Sequence, residues 1–362
     1  MNIRITGELI PSEGNPRNSE GSFIRGMDGE IIFAYSRYCG ASSHDHAECD
    51  IAVIRSYDEG ESWTEPEIIA RARDFGTKNI MSVSAMRLLN GDVCIFSCIK
   101  ENDYSTGIIR IVSSDGKAFS RERCRIDCER NYYTLNNDRV VRLKSGRLLA
   151  PVAYMLREHN ERYSKDRWLD CTFKTTLFYS DDDGISFQKV SWDFEGRAYA
   201  NFESSLLEPG IIEREDGSLF LWMRTCMGSQ FESFSDGDIE SFSYPVAGRL
   251  TSPSSPLQIK EFDGEWFAVY NPIPSYNGRP LADLNWGRTP LVIRRGKGID
   301  SLGELNVIED SEERGYCYPA IFKTLDSHLL VSYCRGGKDD GRLGSSVLCR
   351  TGIAKIKIED IL

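Results

Sequence analysis

No stretch of this 362-residue chain approaches the roughly 18 consecutive apolar residues that a membrane-spanning helix needs. The opening MNIRITGELIPSEG also lacks the apolar core of a secretory leader, so a cytoplasmic location with no membrane partner is expected. Helical periodicity is scarce, which speaks against a helical bundle. Low-complexity and linker segments are missing too, and with them any sign of a second domain. Positive charge is in deficit: 44 Lys and Arg face 55 Asp and Glu, a net charge of −11. That balance disfavours a nucleic-acid partner, because no basic stripe is available for phosphates. A few arginines in one cleft can still override the global field and attract a small anion.

The 11 cysteines are odd in number and scattered. In a cytoplasmic protein they are expected as reduced thiols, mostly buried in strands. Cys94/Cys98 and Cys124/Cys128 share a C-x3-C spacing, and residues four apart on a strand face the same side, as sheet packing requires. Their spacing to the histidines does not follow zinc-site patterns, so no metal is expected.

What the chain does contain is a succession of short apolar runs punctuated by Gly, Asp and Asn, an all-β pattern. A tight turn before an apolar strand recurs at Asp28-Gly29-Glu30, Asn90-Gly91-Asp92, Ser145-Gly146-Arg147, Asp216-Gly217-Ser218 and Asp263-Gly264-Glu265. A weaker copy is Asp326-Ser327-His328. Another strand-like run precedes each turn, making a hairpin whose glycine supplies positive φ. Successive turns lie 62, 55, 71, 47 and 63 residues apart, too far for WD-type repeats of about 40–45 residues. The expectation is one domain over residues 1–362: an all-β, six-bladed β-propeller of four-stranded antiparallel blades. The strand-like IRITGELI near the start and IAKIKIEDIL at the end are expected to meet in the last blade and close the ring.

Between the turns lies a second marker. Ser56 to Trp63 reads S-x-D-x-G-x-S-W, and Ser180 to Phe187 repeats it with Phe for Trp. Degenerate copies run from Ser113 to Phe119 and from Ser235 to Phe242. The Asp of such a turn bonds nearby backbone while the aromatic packs under the hairpin. This pattern resembles the Asp-box of sialidase-type propellers, where it is structural.

With the blades in register, nearly the whole chain resembles the sialidase (neuraminidase) superfamily. The segment YSRYCGASSHDHAECDIAVIRSYDEGESW is similar to the family's arginine–acidic loop–Asp-box stretch. The resemblance implies a pocket arginine at Arg37 and a general acid/base at Asp45, in a loop that also offers His44, His46 and Asp50. EPGIIEREDGSLFLWMRT implies Glu208 as the carboxylate that activates the nucleophile and Arg224 as a substrate-binding arginine. YNPIPSYNGRPLADLNWGRTPLVI adds Arg288, and GYCYPAIFKTLDSHLLVSY implies Tyr318 as nucleophile, with Tyr316 a neighbouring rival. The family's opening Arg-Ile-Pro corresponds to NPRNSEGSF, where Arg17 stands two residues out of register and Ser19 takes its place. Trp222, Trp286 and Met81 are further candidates for a sugar pocket, with propeller core as the plainer assignment for Trp222.

These residue types suit one chemistry. A sialoside carries a carboxylate on its anomeric carbon, which arginines bind as bidentate forks. A carboxylate nucleophile would be repelled there, whereas a tyrosine is neutral until a glutamate takes its proton. The implied activity is a retaining exo-glycosidase releasing a terminal sialic (nonulosonic) acid from a glycoconjugate, with no cofactor. Its partner would be an acidic sugar or sialylated oligosaccharide. The alternatives are a glycosidase or lyase on another acidic sugar and a non-catalytic carbohydrate-binding propeller, since fold alone does not fix function.

Overall fold

Many strands of this chain are apolar at consecutive positions rather than at alternate ones, so both their faces must be covered. In Ile31–Tyr38, Ile32 and Ala34 pack with Val83 and Ile95 of the next sheet. Phe33 and Tyr35, pointing the other way, pack with Leu330 and Ile353 of the last sheet. Each large apolar side chain among them, such as Ile32 or Phe33, contributes about 1.5–3 kcal/mol. The computed structural model describes residues 1–155, 173–195, 205–274, 287–337 and 348–362.

Numbered along the chain, the first sheet comprises Asn18–Arg25, Ile31–Tyr38, Cys49–Ser56 and Glu67–Ala70. The second holds Ile80–Arg87, Val93–Asn102, Ser105–Ser113 and Ser120–Arg123. Leu207–Glu213, Leu219–Arg224, Ser229–Ser235 and Val246–Thr251 form the fourth; Gln258–Phe262, Glu265–Tyr270, Leu291–Gly296 and Asn306–Glu309 form the fifth. In the sixth, Arg314–Lys323, His328–Gly337 and Arg350–Lys357 are joined by the N-terminal Ile3–Leu9. All five are four-stranded and antiparallel.

The expectation of six four-stranded blades is corrected: five sheets are such blades, and the third repeat is not. Here the described residues build a seven-stranded sheet around Leu148–Met155 and Phe173–Ser180. Its inner strand is split into Tyr133–Thr134 and Val141–Arg142, and Arg125–Asp127 adds in parallel to Ser186–Lys189. The intervening Leu135–Val140 segment leaves the ladder because Asn137, Asp138 and Arg139 bond groups in other sheets instead.

Apolar clusters link each sheet to the next and the last to the first, giving a propeller arrangement. The chain ends meet as expected: Ile3–Leu9 runs antiparallel to Arg350–Lys357. The hairpin turns carry positive φ at Gly29, Gly91, Gly146, Gly217 and Gly264, and at Ser327 in the copy without glycine.

The two best Asp-boxes fold alike. Ser56 Oγ donates to Asp58 (2.8 Å) and accepts from Gly60 N (2.7 Å), while Asp58 accepts Ser62 N at 2.9 Å. Ser180, Asp182, Gly184 and Ser186 repeat these bonds. A Cβ on Gly60 would come within 2.6 Å of Leu330, and one on Gly184 within 2.4 Å of Phe96. Each box therefore needs glycine twice over, for its turn and for close contact with the preceding sheet.

Candidate active site

The inner strands do not run straight. Register shifts interrupt them at Ser19/Ser22, Met81/Val83, Leu207/Gly210 and Cys317/Ala320. Within each shift one residue has positive φ: Glu20 (54°), Ser82 (59°), Glu208 (45°) and Tyr318 (53°). Asp138 (58°) plays the same part in the split strand of the third sheet. None is glycine, so each position stores strain, on the order of 1–3 kcal/mol. Such bulges re-aim a side chain. Here they gather polar groups from separate sheets around the centre of the ring.

Tyr318 and Glu208 meet there. The Tyr318 hydroxyl donates to Glu208 Oε1 at 3.0 Å, and Arg224 Nη1 donates to the same oxygen at 2.7 Å. Glu208 Oε2 is buried without a hydrogen-bond partner among the described residues. Arg224 is fixed by Ser254 Oγ at 3.1 Å. Arg288 is buried, with its guanidinium carbon 5.8 Å from the Tyr318 ring centre and Nη1 3.2 Å from Cys317 Sγ. Burial and the Glu208 charge push the Tyr318 phenol well above its ordinary range, against the pull of Arg224 and Arg288. The resting tyrosine is therefore a neutral donor. Arg139 lies deeper, 5.5 Å from the Trp222 ring and bonded to Leu257 O at 2.7 Å. Burial pushes it down to about 10 despite the nearby charges of Glu208 and Asp138, which leaves it cationic at neutral pH.

A second cluster faces the first two sheets. Arg17 reaches Asp45 Oδ1 at 2.5 Å and Glu20 Oε1 at 3.0 Å, and stacks 4.7 Å from the Tyr38 ring centre. Ser82 Oγ donates to the other oxygen of Glu20, and Lys100 Nζ donates to the Asp45 carbonyl. Burial raises Glu20, with Arg17 only partly compensating. Partial burial would raise Asp45 as well, but Arg17 and Lys100 outweigh it and hold that carboxyl far below its usual range. Its side chain is 53% exposed, at the rim of the site.

Most of the expected residues are thus brought together: Tyr318, Glu208, Arg224 and Arg288 in one cluster, Arg17 and Asp45 in another. The charge of Arg17 also bears on Cys317, the neighbour of Tyr318. Arg17, out of register in sequence, takes a central place. Arg37, which looked better placed in sequence, makes no side-chain hydrogen bond or ion pair among the described residues; it is half-buried, opposite Asn18. Tyr316 belongs to the core between the fifth and sixth sheets, edge-on to Tyr333. Trp222 is core as well, and Met81 is a buried acceptor for Tyr38. Trp286 lies outside the described residues. Asp50 accepts Ala72 N at 2.8 Å, and the His44 and His46 rings stack.

Sequence reasoning missed Glu20, Ser82, Asp138, Lys100 and Arg139. Glu20 lies three residues after Arg17, yet nothing in that spacing announces a left-handed backbone. Asp138 accepts from Ser22 (2.8 Å) and Gln258 (2.6 Å) and pairs with Lys260 (3.0 Å), joining three sheets in a way local sequence does not reveal.

A family model described as BNR repeat-like domain matches residues 33–331. No curated protein matches the chain. Among solved structures, a Dyadobacter fermentans protein of unknown function is similar at 18% identity and a TM-score of 0.66, with 98% of this chain and 99% of that one covered. The Hadza microbial sialidase Hz136 gives 14%, 0.71, and 96% and 67%. The NanB sialidase from Streptococcus pneumoniae gives 15%, 0.68, and 99% and 71%. At such identities the likeness is one of fold.

Proposed function

We propose that this chain, which belongs to the BNR repeat-like domain family, is a sialidase-like retaining glycosidase, its seven-stranded third sheet serving as the remaining blade of a six-bladed ring. The observation that carries the reading is the 3.0 Å hydrogen bond from Tyr318 to Glu208, among buried arginines. Two strained bulges from different sheets are spent on bringing that pair together.

In this reading Tyr318 attacks the anomeric carbon as Glu208 takes its proton. Arg17, Arg224 and Arg288 bind the sugar carboxylate, with Arg37 at the rim. Arg224 and Tyr318 share one oxygen of Glu208, so the two events are coupled. A carboxylate that draws Arg224 toward itself leaves Glu208 less neutralised and a stronger base. Asp45 serves as acid/base once the leaving group displaces its contact with Arg17, which otherwise holds it ionised. The structures alike in fold include proteins named as sialidases, which supports a sialic or related acidic sugar as ligand.

Hydrolysis of a fluorogenic sialoside is the direct test. Tyr318→Phe is expected to lower kcat by about 10³-fold or more with an unchanged melting temperature. A wild-type chain that binds but never turns over acidic sugars would instead be a carbohydrate-binding propeller.

A further inference from the structure

Beside the nucleophile lies a pair of groups that the mechanism does not use. Cys317 and Cys334 stand directly opposite each other on adjacent antiparallel strands of the sixth sheet. Directly opposed residues have Cα atoms about 4.5–5.5 Å apart, within the span of about 4.4–6.8 Å that a disulfide bridges. Both thiols are buried and packed with Leu348 against Tyr318. Among the other buried cysteines, Cys49, Cys94, Cys98 and Cys124 have thiols pushed up by burial. Cys317 differs. Burial pushes it up too, but the hydrogen bond from Cys334 and the charge and hydrogen bond of Arg288 outweigh that, with Arg17 adding to them.

We propose that Cys317 and Cys334 form a redox-reactive dithiol that closes to a disulfide next to Tyr318 when a small hydroperoxide reaches the site. The Cys317 sulfur, as thiolate, attacks one peroxide oxygen. The O–O bond breaks, hydroxide leaves and takes a proton to become water, and the sulfur is oxidised to a sulfenic acid. Cys334, losing its proton, attacks that sulfur; the S–S bond forms, the S–O bond breaks and a second water leaves. Two thiols and one hydrogen peroxide thus give one disulfide and two waters. Arg288 is what makes Cys317 the attacking partner, because a guanidinium against the sulfur favours the thiolate.

The test is peptide mapping of the full chain after hydrogen peroxide and thiol alkylation. The peptides bearing Cys317 and Cys334 are expected to emerge joined, with two alkylatable thiols lost and regained on adding dithiothreitol. Cys334→Ser should leave a sulfenic acid on Cys317 that dimedone captures. Recovery of both wild-type peptides fully alkylated, whatever happens to the exposed Cys226, would overturn the proposal. One consequence rests on the glycosidase reading: oxidation should lower sialoside turnover severalfold and reversibly. A chain inactive before and after oxidation counts against that reading, whereas the mapping reports on the dithiol by itself.

Discussion

The two halves of the candidate site solve the same electrostatic problem in opposite ways. On the side of the first two sheets, the buried Arg17 pairs with two carboxylates of the chain itself, the buried Glu20 and the half-exposed Asp45, and Glu20 is further bonded by Ser82. On the opposite side, Arg224 bonds Glu208, which it shares with Tyr318, and Arg288 lies against the Cys317 thiol. The first half is close to neutral before any ligand arrives. In the second, Arg224 and Tyr318 share Glu208 Oε1, and Glu208 Oε2 has no hydrogen-bond partner among the described residues. An incoming anion must compete with Asp45 and Glu20 for Arg17, and with Glu208 for Arg224. Among the described residues Arg224 has one ion pair and Arg17 has two, so Arg224 is the arginine more open to an incoming anion and Arg17 the one more committed to the fold.

Removing the buried cation of the satisfied half should have the largest effect on stability. Arg17→Met leaves Glu20 buried without its partner and is expected to cost about 3 kcal/mol, read as a lower urea midpoint. Arg224→Met should cost less and act mainly on KM; equal losses in stability would erase the distinction.

The two carboxylates on Arg17 should then separate by pH. Glu20 is raised in the fold, so its contribution is complete below its ordinary value of 4.5 and lost as pH rises through the higher folded value. Asp45 is lowered, so its contribution is present above 3.8 and lost as pH falls toward the lower folded value. Glu20→Gln should therefore gain on the wild type in thermal stability as pH rises above 4.5. Asp45→Asn should lose on it as pH rises through 3.8. Slopes of the same sign would show that Arg17 does not divide the pair.

The smallest effect belongs to Arg37→Ala. With no side-chain hydrogen bond or ion pair among the described residues, its replacement should change stability by no more than about 0.5 kcal/mol. If Arg37 touches the sugar, the change appears in KM for the sialoside and nowhere else.

The repeats were legible because their determinants are local. Ser56, Asp58, Gly60 and Ser62 bond within a single turn, so their spacing alone implies the turn. The third sheet escaped that logic. Its inner strand is interrupted where Asn137 and Asp138 bond to Gly21 and Ser22, more than a hundred residues away. Tyr318 and Glu208 could be nominated by resemblance, but Tyr316 and Tyr318, two apart, would share a side of a regular strand, and only the bulge with its left-handed Tyr318 sends one to the core and the other to Glu208.

Arg17 and Arg37 show where the limit falls. Sequence register favoured Arg37, yet the bulge at Ser19/Ser22 changes the count of residues along the inner strand, and Arg17 comes to the centre with Glu20. An all-β chain of hairpin repeats, the Asp-box turns and the meeting of the two ends follow from the residue order alone, since alternation and tight turns act over a few residues. Only the tertiary structure decided which arginines, carboxylates and thiols meet. Those meetings depend on strained bulges in separate sheets, held in place by the ring that the sheets close together.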